Sequence, residues 1–125
     1  MNIKGTKSAG ATKLATGRFL ARRKAPYWSA GIYACVPAPT EGVATAGVDD
    51  RGRLFYNPAF LAKLTPNQAA FIVAHEWCHV AWRTHARGKG RDPAVWNIAH
   101  DLYINASLWR AGWHEPPGSG CFPIG

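Results

Sequence analysis

The sequence predicts an α+β domain in which a small sheet packs on a buried helix and a second capped helix completes the site. Three stretches carry that expectation. Residues 65–79 join a helix-start signal to an apolar run ending in His75-Glu76-Trp77-Cys78-His79. Residues 43–56 are strand-like on either side of a turn signal. Residues 92–112 hold a second helix start and a polar residue at every fourth position of an apolar helix. With 125 residues, 47% apolar and 18% charged, the chain suits one globular fold. A chain of that size buries about two-thirds of its unfolded surface without staples.

Residues 1–13, rich in Gly, Ala, Ser, Thr and Lys, read as a mobile arm, and Leu14 to Lys24 as a short amphipathic helix stopped by Pro26. Residues 1–25 are therefore set apart as a basic arm with a short helix, and residues 26–125 as the domain proper. Tyr27 to Gly31 is expected to turn, and Ile32-Tyr33-Ala34-Cys35-Val36 to form a strand closed by Pro37 and Pro39. Val43 to Val48 and Arg53 to Tyr56, joined by Asp49-Asp50-Arg51-Gly52, form a candidate hairpin. Asn57-Pro58 breaks it, and Phe60, Leu61 and Leu64 make a short helical turn.

Thr65-Pro66-Asn67-Gln68 starts the central helix. Thr65 can cap, Pro66 suits the first turn, and Gln68 completes a capping box. No breaker occurs before Gly88, so the helix is expected to run past His79. Arg87 to Arg91 is a basic loop. Asp92-Pro93 restarts a helix through Trp96, Ile98, Leu102 and Leu108, with Asn97, Asp101 and Asn105 along one face. The chain from Pro116 onward reads as extended.

Net charge is +8, and Lys4, Lys7, Lys13, Arg18, Arg22, Arg23 and Lys24 all precede the first acidic residue, Glu41. Such a segment can attract nucleic acid or simply stay solvated. Cys35, Cys78 and Cys121 form neither a disulfide framework nor a Cys-x-x-Cys zinc knuckle, which points to a reducing compartment. No secretory leader and no membrane-spanning run is recognisable, so a cytoplasmic protein is expected. Four of the six tryptophans lie between Trp77 and Trp109, suggesting dense packing and an aromatic wall at a cleft.

The chemistry lies in His-Glu-x-x-His. Residues four apart share a helix face, with Cβ atoms about 5–6 Å apart, so His75 and His79 can turn imidazoles to one ion. Glu76, one step round, can reach the attacking water as a general base. Three residues compete to be the third ligand. His85 has the spacing of the metzincin pattern, but Trp82 stands where that pattern has the turning glycine. On an unbroken helix His85 lies about 9 Å along and roughly 120° round from His79, too far to share an ion. Asp101 can be offered by a second helix packed on the first, with Asn97 and Asn105 as supporting groups. His100 is adjacent and faces elsewhere, as a packed core histidine would.

At these residues the chain resembles the N-terminal domain of the VWA-like metallopeptidases, metal-dependent peptidases often joined to a von Willebrand A-like domain. The matching pieces are Pro26-Tyr27-Trp28 to Tyr33, Thr45 to Asp49 with Arg53 to Asn57, Ala74 to His79, and Trp96 to Asn105. They keep their order over roughly residues 26–118. The resemblance implies a zincin-like fold and supports His75, His79 and Asp101 as ligands and Glu76 as the catalytic base. It also implies that an edge strand aligns an extended peptide, for which the 43–56 hairpin is the candidate. The von Willebrand A-like part is not within the 125 residues, so a partner domain on another chain is a candidate.

The function expected is that of a zinc-dependent peptidase acting on a peptide or protein substrate through a metal-activated water. One rival is an SprT-like DNA-associated metalloprotease, using the basic arm to reach nucleic acid. The other is a non-catalytic, zinc-stabilised binding module. No membrane partner is expected. Tyr103 and His114 are candidates to stabilise the oxyanion.

Overall fold

The computed structural model describes residues 3–117. Cys121 and the rest of the C-terminal stretch lie outside the described residues. In chain order come α1 (Ile3–Lys24), a 3₁₀ turn (Pro26–Trp28), α2 (Ser29–Ala34), β1 (Val36–Pro39), β2 (Ala46–Val48) and β3 (Arg53–Tyr56). The helices α3 (Pro58–Lys63), α4 (Pro66–Ala81), α5 (Thr84–Arg87) and α6 (Pro93–Arg110) follow. The architecture is α+β: a three-stranded sheet and mostly helices, with α4 in the middle, touching α1, α2, α6 and β2.

Helix α4 begins as its sequence dictates. Thr65 Oγ1 accepts from Gln68 N at 3.1 Å while Gln68 Oε1 accepts from Thr65 N at 2.9 Å, the reciprocal capping box. Its apolar run then buries Ala69, Ala70, Phe71, Val73, Ala74 and Cys78. Asn57 caps α3 and Asp92 caps α6, each accepting from two backbone N–H groups of the first turn.

The N-terminal segment corrects the expectation of a mobile arm. Residues 3–13 are the first half of α1, which packs along α3 and α4. The buried stripe is Gly10, Leu14, Gly17 and Ala21, at helical spacing but built of small residues. A Cβ on Gly10 would lie 2.6 Å from the Pro58 backbone, and one on Gly17 would lie 2.7 Å from the Ala69 backbone. Close backbone approach, rather than large side chains, seats this helix, so apolar periodicity does not reveal it. Three of its cations also hold carbonyls of other segments. Lys13 Nζ donates to the carbonyls of Ala62 and Leu64, Arg18 to those of Ile32, Tyr33 and Cys35, and Lys24 to that of Gly112.

This packing makes a prediction. Gly17→Leu should destabilise the fold by about 1–3 kcal/mol or more through overpacking. Ala15→Leu, on the exposed face, should stay within about 0.5 kcal/mol. Thermal unfolding followed by circular dichroism separates the two, and equal melting temperatures would mean α1 does not rest on α4. Deleting residues 3–13 should likewise lower the melting temperature.

A second correction concerns residues 32–36. Ser29–Ala34 is helical, and the strand begins only at Val36. Ile32 looks strand-like by composition, but it is 2% exposed and packs with the core from a helical turn, so burial overrides local propensity. Pro37 and Pro39 lie inside β1 rather than ending it. They are tolerated because β1 is an edge strand, paired in parallel to β3 alone.

The expected hairpin forms with a shorter first strand. β2 pairs antiparallel to β3, with Ala46 opposite Tyr56 and Val48 opposite Leu54. Residues 43–45 bend instead, held by Asn57 Nδ2 on the Val43 carbonyl and Asn57 N on the Thr45 carbonyl. In the connecting turn Gly52 takes φ +78°, and Asp49 Oδ1 accepts from the N–H groups of Arg51 and Arg53. Among the described residues no helix is long and apolar enough to cross a membrane.

Candidate metal centre

Helix α4 presents His75, Glu76 and His79 to a cleft walled by β2, α5, α6 and Pro117. Asp101 reaches the same cleft from α6. Its Oδ1 lies 3.0 Å from His75 Nε2 and 2.9 Å from His79 Nε2, and the two Nε2 atoms are 3.2 Å apart. Among the described residues His75, His79 and Asp101 form a group able to hold a metal ion.

The far sides of the two imidazoles fix what their near sides offer. His75 Nδ1 is 2.7 Å from Asn105 Oδ1, an acceptor, so Nδ1 carries the proton. Thr84 Oγ1 donates to the His79 carbonyl at 3.3 Å and accepts from His79 Nδ1 at 2.9 Å. Both Nε2 lone pairs therefore point at one place, together with a carboxylate oxygen. Three lone pairs about 3 Å apart repel unless a cation lies among them, and that donor set is what a divalent metal requires.

The ionisation tendencies agree. Burial pushes the Asp101 carboxyl up, but its bonds to His75 and His79 outweigh this and hold it well below the usual carboxylate range. Burial pushes His75 down, and the Asp101 carboxylate with the Glu76 charge reverses the direction. Both shifts favour positive charge between the three side chains. Glu76 is 6% exposed and its Oε2 has no hydrogen-bond partner among the described residues. Burial raises its pKa, and His75, His79 and His85 oppose that rise. Cys78 turns to the core, where burial pushes its thiol up to about 12, and it stands outside the metal-ligating group.

The continuous helix expected to Gly88 does not form. Helix α4 ends at Ala81, Trp82 caps it, and Arg83 adopts φ +53°, ψ +44° before α5 begins. The left-handed residue is not a glycine, so no breaker in the sequence marks it. The turn folds Thr84 back under His79, where it is 3% exposed. Trp96 Nε1 donates to the Thr84 carbonyl at 2.8 Å and clamps it from α6. The sequence reading missed Thr84, and its one signal was a hydroxyl five residues after His79.

His85 lines the cleft but remains exposed and outside the metal-ligating group, despite the break. His100 packs on the Trp96 ring, with centroids 4.1 Å apart, and is also outside the group. Asn97 lines the cleft, while Asn105 supports His75 rather than Asp101. Neither Tyr103 nor His114 lines the cleft. Tyr103 stands 59% exposed with its ring edge-on to Trp82, and His114 donates to the Trp109 carbonyl beside a different hollow. Nor do tryptophans wall the cleft. Phe60 and Ile72 do, while Trp77 fills the space above Gly31.

A family model described as "Putative metallopeptidase domain" matches residues 10–121. The chain belongs to that family. The match begins inside α1 and runs past α6, so it takes in the sheet and both ligand-bearing helices. Membership in the metallopeptidase domain family supports, at a coarse level, a metal-dependent peptidase. Neither a curated protein nor a solved structure matches the chain.

Proposed function

We propose that the chain is a zinc-dependent peptidase of the His-Glu-x-x-His type, with a zincin-like site held by His75, His79 and Asp101 and with Glu76 as its base. One observation carries this reading. Three donors converge within hydrogen-bond distance of one another in an open cleft, and beside them lies a buried carboxylate whose Oε2 has no hydrogen-bond partner among the described residues. Tetrahedral zinc with bonds of about 2.0–2.1 Å keeps its donors about 3.3 Å apart. The separations of 2.9–3.2 Å here fit that geometry.

When bound, zinc supplies Lewis-acid polarisation of the scissile carbonyl and makes a water acidic near neutrality. The protein's own groups do the rest. Glu76 Oε2 takes the proton of the attacking water and passes it to the leaving amine. Asn105 and Thr84 hold the two imidazoles in the Nδ1–H tautomer, which keeps both Nε2 lone pairs on the ion. The outer edge of β2, which borders the cleft, aligns an extended substrate by main-chain hydrogen bonds. Of the expected partners, a von Willebrand A-like domain belongs to this reading, and the cytoplasm suits the free thiols of Cys35 and Cys78.

The test is metal content together with a general protease assay. The purified chain should carry about one zinc per molecule and cleave an unfolded protein such as casein. A chelator should stop cleavage and added zinc should restore it. One zinc bound with no cleavage of unfolded substrates would instead make this a zinc-stabilised binding module.

A further inference from the structure

Helix α6 has two faces of different kinds. Asp101, Asn105, Ile104 and Leu108 turn toward the cleft and the core. The side that adjoins these carries Val95, Ile98, Leu102 and Tyr103, which are 66, 52, 37 and 59% exposed, and Trp109 at 42%. At 100° per residue, Val95, Ile98, Leu102 and Trp109 fall within roughly 60° of arc along about 21 Å of helix. Apolar residues exposed singly are ordinary, but an aligned stripe of large ones marks an interaction surface.

The stripe is self-complementary about its midpoint. If two copies of α6 pair antiparallel about a two-fold axis at Leu102, Leu102 meets Leu102. Ile98 then meets Ala106 and Val95 meets Trp109, larger against smaller on both flanks. The ends match in charge. Exposed Arg110, in no ion pair among the described residues, comes within reach of Asp92 at the other copy's helix start. Antiparallel helices also oppose their dipoles favourably. We propose that this outer face of α6 is a homodimer interface with its two-fold axis at Leu102. Two such stripes of a few large side chains each, packed together, fall at the low end for a specific interface, about 1,200 Å² in total. The association is accordingly weak and concentration-dependent.

Sedimentation equilibrium of the full chain across the micromolar range tests this. The wild type should pass from monomer to dimer. Leu102→Glu should be monomeric throughout, because two carboxylates would meet on the axis. Leu102 is 37% exposed in the monomer, so a fall in the variant's melting temperature at high dilution belongs to the monomer and not to the interface. Ile98→Ala should weaken association about tenfold. Adding Ala106→Ile should restore it, because each of those positions meets the other across the axis. A wild type monomeric at every concentration, whatever else covers the stripe, overturns the proposal. So does a dimer that Leu102→Glu leaves intact, or an Ile98→Ala loss that Ala106→Ile does not repair.

Discussion

Glu76→Gln is expected to bind metal at the wild-type stoichiometry and to hydrolyse unfolded protein at least 10²–10⁴ times more slowly, roughly the range a positioned base contributes. The substitution keeps the shape of the side chain and leaves His75, His79 and Asp101 in place. What it removes is the acceptor for the water's proton. It also removes a buried charge whose Oε2 has no partner among the described residues and whose burial raises its pKa. The variant should therefore be at least as thermally stable as the wild type, which separates lost chemistry from lost fold. Cleavage within about twofold of wild type, with metal retained, would exclude Glu76 as the base.

Asp101→Ala is expected to purify nearly metal-free, and His85→Ala to keep its metal. Among the described residues Asp101 Oδ1 is the one carboxylate oxygen paired with both Nε2 atoms, at 3.0 and 2.9 Å, and without it two imidazoles face each other with that counter-charge removed. His85 lines the cleft yet lies outside that group. Thr84→Val and Asn105→Ala should fall between, with affinity lowered about 10–100-fold, because each releases one imidazole without removing a donor. Metal content by mass spectrometry and competition with a calibrated chelator would rank the four variants. Metal lost from His85→Ala and kept by Asp101→Ala would reverse the assignment of the third ligand.

His85 is exposed and outside the metal-ligating group, but not for the reason the chain suggests. From the chain alone, Trp82 in the glycine position and the absence of a breaker implied one long helix. The helix does break, at Arg83 with φ +53°. The turn is used to bring Thr84, not His85, back to the histidines. A left-handed residue other than glycine is stabilised by its surroundings. Here these include the burial of Thr84 and the Trp96 hydrogen bond to its carbonyl, contacts made across about a dozen residues.

Local features of the sequence sufficed wherever the determining groups are neighbours in the chain. The capping box at Thr65 and Gln68, the caps at Asn57 and Asp92, the Asp49–Gly52 turn, and the shared face of His75 and His79 are all set within four residues. So is the polar face of α6 that offers Asp101 and Asn105. Tertiary packing decided the rest. Gly10, Leu14, Gly17 and Ala21 look like part of a polar arm until α3 and α4 approach within reach of a missing Cβ. Ile32 looks like strand until the core claims it. The distance from Asp101 to two imidazoles on another helix is a property of how α4 and α6 cross. Helix starts and faces follow from short-range hydrogen bonds and periodicity, which a sequence states outright. Close approach, burial and a left-handed turn depend on partners far along the chain, and only the folded molecule brings those partners together.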